Sequence, residues 1–194
     1  GPPVKIGSTL ALTGPLSATA QIHKIVGDIY VEQLNKKNGL LGRPVEWIVK
    51  DDQSKPDLAR TLYEQLLTVD KVDLLMGPYA TGNILAAMGV AQRYNKVLIH
   101  HTLGIPSLAK YDKQFPAWSV GAEQTVPNTV FDALATLPKP PKTIAIVTSK
   151  FPSIYFMSAG AREVAKKRGL QEVLYLEWEF GNRDFGPIAS RVKD

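Results

Sequence analysis

Residues 45–76 read VEWIVKDDQSKPDLARTLYEQLLTVDKVDLLM, and the reading of this stretch decides the fold. Val45 to Lys50 is a short β-forming run that ends in the polar turn Asp51-Asp52-Gln53-Ser54. Pro56 then opens a segment in which Leu58, Leu62, Leu66 and Leu67 share one helical face; proline suits a first turn because its missing N–H would have no partner there. Asp73 to Met76 returns to strand. A strand, a helix and a second strand in so short a span call for a crossover onto a parallel neighbour, and stereochemistry makes that crossover right-handed.

The same rhythm continues on both sides. Upstream, Val4 to Leu10 forms a strand and Thr13 to Thr19 a small-residue loop. Gln21 to Lys37 follows, with Ile22, Ile25, Val26, Ile29, Tyr30 and Leu34 near the helical period and Gly39 as terminator. Downstream, Gly77-Pro78-Tyr79-Ala80-Thr81 is a loop, Ile84, Leu85, Met88 and Ala91 mark a helix, and Val97 to Ile99 is a fourth strand. Strands alternating with amphipathic helices make an α/β, doubly wound, Rossmann-like lobe with a mainly parallel sheet covered on both faces. After Pro106 the rhythm breaks. An irregular stretch leads to Ala117-Trp118-Ser119-Val120, then to a helix carrying Val126, Val130 and Leu134. The Pro-rich linker Leu137 to Pro141 delivers the chain to a β-rich run, Thr143 to Thr148, that reads as the first strand of a new sheet. A helix (Tyr155 to Arg168), a strand (Val173 to Glu177) and the start of a helix at Phe185 complete the chain. The expected division is 1–120 for one lobe and 121–194 for the start of a second, too short to close a sheet of its own.

Composition narrows the function. The net charge of +5 and pI near 9.3 would suit nucleic acid, but Lys and Arg are interleaved with Asp and Glu instead of concentrated on one stretch. The dense pairs Lys36-Lys37 and Lys166-Lys167 precede glycines at helix ends, where cations complement the helix dipole. Cysteine is absent, which removes disulfides, thiolate catalysis and cysteine metal sites. No apolar run approaches the roughly 20 residues that span a bilayer, and no charged-then-apolar leader precedes the first strand, so a secretion signal is expected to have been removed.

In open α/β sheets ligands bind beyond the carboxyl ends of the strands. The loops there are Leu12 to Thr19, Asp51 to Ser54, Gly77 to Asn83 and His100 to Pro106, all rich in small residues and hydroxyls. The helix starts just downstream supply amide donors for an anionic group such as a carboxylate. Gly77 to Gly82 has the glycine spacing of a phosphate loop, but Asn83-Ile84 stands where Lys and Ser or Thr would be needed. Neither a dinucleotide fingerprint after strand one nor a nucleophile elbow is present. Asp51-Asp52 could hold a cation, although Ser54, Pro56 and Asp57 favour loop solvation and helix capping. His100 and His101 point to opposite faces of an extended segment and so cannot share a metal unless the backbone turns, while one of them can face the loops. Tyr79 and Trp118 are candidate wall aromatics, and Ser153 and Tyr155, with Phe151 as the alternative aromatic, are their candidates in the second lobe. No cofactor, metal or catalytic group is expected.

Lys5-Ile6-Gly7 with Thr13-Gly14-Pro15, Asn38-Gly39-Leu40-Leu41-Gly42-Arg43-Pro44-Val45, Asp51-Asp52-Gln53-Ser54, Asp73-Leu74-Leu75-Met76-Gly77-Pro78 and Thr143-Ile144-Ala145-Ile146-Val147 occur in order along the chain. Together they resemble the branched-chain amino-acid type of periplasmic solute-binding proteins of ABC importers, a type I binding fold. The resemblance implies two lobes joined by a hinge that close on a small carboxylate ligand, a permease as partner, and a periplasmic location. It implies carboxylate contacts at Ala80 and Thr81, and again at Thr102, Leu103 and Gly104. A contact near Ala18 or Thr19, and an aromatic close to Tyr155, are implied as well. Where amino-acid binders offer serines and threonines, this chain has Tyr79, His100, His101 and Leu103, so an aromatic or other non-amino-acid carboxylate is expected ahead of leucine or valine. Two alternatives stand beside this reading: a ligand-sensing regulatory domain of the same fold, and an α/β enzyme using His101 or Asp52.

Overall fold

The computed structural model describes residues 1–117 and 121–193. They form two compact units, one made of Gly1–Leu103 with the segment from Leu108 onward, the other of Gly104–Ser107 with the residues from Gly121.

In the first unit the chain runs β1 (Val4–Leu10), α1 (Ser17–Lys36), β2 (Val45–Asp51), α2 (Pro56–Thr68), β3 (Leu74–Met76), α3 (Thr81–Arg93), β4 (Leu98–His100) and β5 (Gln114–Pro116). All five strands are parallel, in the order β2-β1-β3-β4-β5. The chain leaves β1 to one side for β2 and then crosses to the other side for β3, which puts the topological switch point between β1 and β3. Two elements differ from the sequence reading. Helix α1 begins at Ser17, one turn before the expected Gln21, because Ser17-Ala18-Thr19-Ala20 is compatible with helix although it lacks apolar periodicity. The fifth strand lies at Gln114–Pro116, and of the expected segment only Ala117 falls within the described residues.

Alternation along the strands separates two faces. Gly7, Thr9, Leu75 and Leu98 face α2 and α3, where Tyr63, Leu66, Val72, Ile84, Met88 and Val90 fill the core. Gly7 is required there: a Cβ would lie 2.9 Å from both methyls of Val72. The opposite face carries Ile6, Leu74, Met76 and Ile99, with α1 beside it. An apolar hollow of about 550 Å³ separates them. The α1 stripe Ile22, Ile25, Val26, Ile29 and Tyr30 stays more than half exposed, so apart from the buried Ala20 and the contact of Gly27 with the Trp47 ring α1 is only lightly packed on its sheet. Its far end is tied to β2 by Asn35, whose side chain donates to the Val45 carbonyl at 2.9 Å and accepts from the Val45 N–H at 2.7 Å.

The second unit contains α4 (Thr125–Ala135), β6 (Thr143–Ser149), α5 (Pro152–Lys167), β7 (Gln171–Trp178) and α6 (Gly186–Lys193). Strands β6 and β7 pair in parallel, with α5 as their crossover. Phe131, Val164 and Ala165 form its small core, backed by Leu134, Ile144 and Leu170. Gly160 lets α5 approach the turn before α4 so closely that a Cβ would lie 2.0 Å from the Glu123 carbonyl oxygen. Among the described residues no helix is long and apolar enough to cross a membrane.

Candidate functional site

The carboxyl ends of β1, β2, β3 and β4 converge through side chains of their own loops. Tyr63, wholly buried, donates its hydroxyl to the Met76 carbonyl at 2.5 Å and accepts from the Thr9 N–H at 3.3 Å, so one phenol spans the tips of β1 and β3. Burial and the nearby Asp52 charge hold that phenol protonated by raising its pKa. Asp52, also wholly buried, accepts from the Thr9 hydroxyl at 2.7 Å and from the Ser54 N–H at 3.0 Å. The Asn83 amide, buried and without a tighter partner, lies at the edge of hydrogen-bonding reach of the same carboxylate. Burial wins over these donors and raises the Asp52 pKa above the ordinary carboxylate value. Asp51 behaves in the opposite way. It accepts from the Thr13 hydroxyl at 2.7 Å, the Thr13 N–H at 3.2 Å and the Gln53 N–H at 2.8 Å, and although desolvation pulls upward, these donors lower its pKa. The acidic pair is therefore a staple between the first and second loops. Among the described residues no group of three or more His, Asp or Glu is placed to hold a metal ion.

The third loop is strained at its functional end. Ala80 has φ +80° and ψ 150°, a region that alanine enters only under constraint. The constraint is Thr102, whose hydroxyl oxygen accepts the Ala80 N–H at 2.9 Å. With that lone pair occupied, the Thr102 O–H is free to turn outward and donate. Helix α3 begins at the next residue, Thr81, with no acidic residue in its first turn, and Ala80 has no side chain that could cap it. The helix start therefore carries the positive end of the dipole with no acidic side chain in its first turn to offset it. Gly77 allows this loop to lie against β4; a Cβ would sit 2.6 Å from the His100 Cβ.

The two adjacent histidines take different roles. His100 is wholly buried, its Nε2 2.5 Å from the Gln114 side-chain oxygen. His101 faces the other way and stacks on His23 of α1, ring centroids 4.7 Å apart and planes at 18°. The His23 ring also tilts against Tyr79 at 5.1 Å, and its Nδ1 lies 3.0 Å from the Thr19 carbonyl oxygen. Burial first, then the charges of His23 and His100, push the His101 pKa down to about 4, against a weaker upward pull from Gly77. At neutral pH His101 is an uncharged ring.

The sequence-derived candidates are thus placed as follows. Tyr79, Ala80, Thr81, His101 and Thr102 share the loops at the carboxyl end of the first unit, with Thr19 on the first turn of α1. Leu103 is in the core with Tyr111, so its side chain does not reach the loops. Gly104, Ser153 and Tyr155 belong to the second unit. Ser153 and Tyr155 lie in the first turn of α5, which starts at Pro152, three residues before the expected Tyr155. Tyr155 donates its hydroxyl to Glu177, as does Tyr175 at 2.7 Å, and these two bonds lower the Glu177 pKa. Phe151 stacks on Phe180 at 4.6 Å. Trp118 is outside the described residues. Sequence reasoning missed His23, Gln114 and Glu177. His23 shares a helical face with Thr19, four residues earlier, only because α1 begins at Ser17 instead of Gln21.

The family described as periplasmic binding protein matches residues 3–194. A substrate-binding protein of a chemotactic signal transduction system, BasB of Halobacterium salinarum, is 32% identical over 111 residues, 56% of this chain and 27% of its own. The Leu/Ile/Val-binding protein BraC3 of Rhizobium johnstonii is 23% identical over 190 residues, 98% of this chain and 51% of its own. A solute-binding protein of an ABC transporter from Rhodopseudomonas palustris, solved with 3,4-dihydroxybenzoic acid, superposes with a TM-score of 0.82 at 22% identity, over 98% of this chain and 51% of that one. The chain therefore spans about half the length of these last two relatives. With parallel strands around a β1/β3 switch point and a family match over nearly every residue, the chain belongs to the periplasmic binding protein family.

Proposed function

We propose that this chain is part of an extracytoplasmic solute-binding component of an ABC importer, one that captures a small aromatic carboxylate and hands it unchanged to a permease. One observation carries the ligand class. The Thr102 hydroxyl, set by the Ala80 N–H at the positive end of α3, where Thr81 begins the helix, is the carboxylate donor in this reading and stands beside the flat cluster of His23, Tyr79 and His101. A benzoate presents the complement of both, an anionic end and a ring, whereas a branched aliphatic side chain would use only the first. The neutral state of His101 fits an apolar ring better than an ammonium group. Residues 1–120 act as the N-terminal lobe in this reading. Residues 121–194 begin the second, to which Ser153 and Tyr155 belong, while Thr19 and Gly104 are carried by the first.

The test is a calorimetric and thermal-shift titration of the protein with 4-hydroxybenzoate and with L-leucine. A ligand present at about 100 times its Kd stabilises by about 2.7 kcal/mol, which a melting curve resolves easily. Tight benzoate binding with recovery of intact ligand supports the proposal; tight leucine binding with no response to benzoates overturns the aromatic assignment. Chemical turnover of the ligand would favour an enzyme that uses His101 or Asp52. The similarity to BasB favours one second reading, a sensory role for the same site, which would show as ligand binding without transport dependence on this protein.

A further inference from the structure

Ser54 is placed in sequence as a capping residue for α2, but Lys55 stands at that cap and the Ser54 hydroxyl goes elsewhere. It donates to the Thr13 carbonyl at 2.9 Å and accepts from the Leu16 N–H at 3.1 Å, both in the loop before α1. We propose that Ser54 is a positioning residue for the candidate ligand wall: its hydroxyl clasps the first loop and thereby sets where α1 carries Thr19 and His23.

Three features make the clasp consequential. First, Ser54 is itself aimed: its φ of +63° lies in the left-handed region, and its N–H is held by the buried Asp52 carboxylate. Second, the two loops are in intimate contact, since a Cβ on Gly14 (φ +86°) would fall 2.6 Å from the Ser54 Oγ and 2.7 Å from the Gln53 carbonyl oxygen. Third, packing fixes the helix only in part, at the buried Ala20 and where Gly27 lies against the Trp47 ring. The α1 stripe of Ile22, Ile25 and Val26 is more than half exposed, so the pose of α1 also depends on its tethers, Asn35 at one end and the Thr13–Leu16 loop at the other. Leu16, immediately before α1, has no side chain able to cap it, and the Ser17 N–H is bonded to the Gly14 carbonyl within the clasped loop. Less than two turns further on, His23 meets His101 and Tyr79. A small rotation of the α1 start moves that ring off its partners, while the strands and core stay in place.

The inference rests on the proposed ligand site only in its final step, and the experiment separates the two. Ser54→Gly removes the hydroxyl and suits the left-handed backbone, so its fold is preserved; Ser54→Ala is the second variant. The readouts are cross-relaxation between the His23 and His101 imidazole protons by NMR, the thermal midpoint, and the Kd for 4-hydroxybenzoate. Expected are loss of the His23–His101 cross-peaks, a midpoint within a few degrees of wild type for Ser54→Gly, and an affinity about tenfold weaker, the scale of one or two lost positioning hydrogen bonds. Cross-peaks unchanged in both variants overturn the proposal, whatever happens to affinity. Collapse of the folded spectrum in both would overturn it too, by making Ser54 a residue of the fold. Cross-peaks lost in a protein that binds no benzoate leave the positioning role standing and remove the aromatic-acid reading.

Discussion

Replacing His101 by Phe keeps a ring against His23 and removes a titration. The His101 pKa is held down to about 4 from an ordinary 6.5, chiefly by burial, so the folded protein declines a proton that the unfolded chain accepts. Stability is therefore fully present above pH 6.5 and is lost as pH falls from 6.5 toward 4. A gap of about 2.5 units at about 1.36 kcal/mol each gives an upper bound of about 3.4 kcal/mol. Because the ring is only partly buried, solvent screening brings the expected loss to about 2 kcal/mol. The assay is urea unfolding of wild type and His101→Phe at about pH 7 and about pH 4.5, compared as a difference so that other titrating groups cancel. The wild type should lose about 2 kcal/mol more than the variant over that interval. Parallel loss in the two proteins would refute the claim that His101 is kept neutral by its surroundings.

Three other outcomes follow from single positions. Ala80→Gly should stabilise the first unit by about 1 kcal/mol, because glycine relieves a strain of about 1–3 kcal/mol at φ +80° and returns part of it as chain entropy; a lower denaturant midpoint would contradict this. Asp52→Asn should gain on wild type as pH rises from the ordinary carboxylate value through the raised native one, since burial disfavours only the charged form; calorimetry across that range would show a flat difference if Asp52 were unstrained. Gly160→Ala should destabilise the second unit by about 1–3 kcal/mol, since a methyl would meet the Glu123 carbonyl at 2.0 Å; an unchanged unfolding curve for that unit would show that α4 and α5 can separate without cost.

The order of elements was readable because its cause is local. Val4 to Leu10, Val45 to Lys50 and Thr143 to Thr148 are β-rich runs, and Leu58, Leu62 and Leu66 repeat at helical spacing, so composition and period alone place strands and helices. The start of α1 at Ser17 was not readable from period, since small residues carry no apolar signal, and neither was β5, whose three residues pair only because β4 offers an edge. The loops that would hold a carboxylate were also legible, as positions at strand ends.

What each loop does with its side chains was settled only by tertiary structure. Ser54 caps nothing on its own helix, because the left-handed turn directs its hydroxyl across to Thr13 and Leu16. Leu103 leaves the expected wall for the core, since the chain turns inward beside Tyr111. His23 joins Tyr79 and His101 across 78 residues of sequence through the packing of a helix start against two strand ends. Periodicity encodes which face of an element is apolar; it cannot encode how far a lightly packed helix is rotated about its axis, and that angle decides which rings meet.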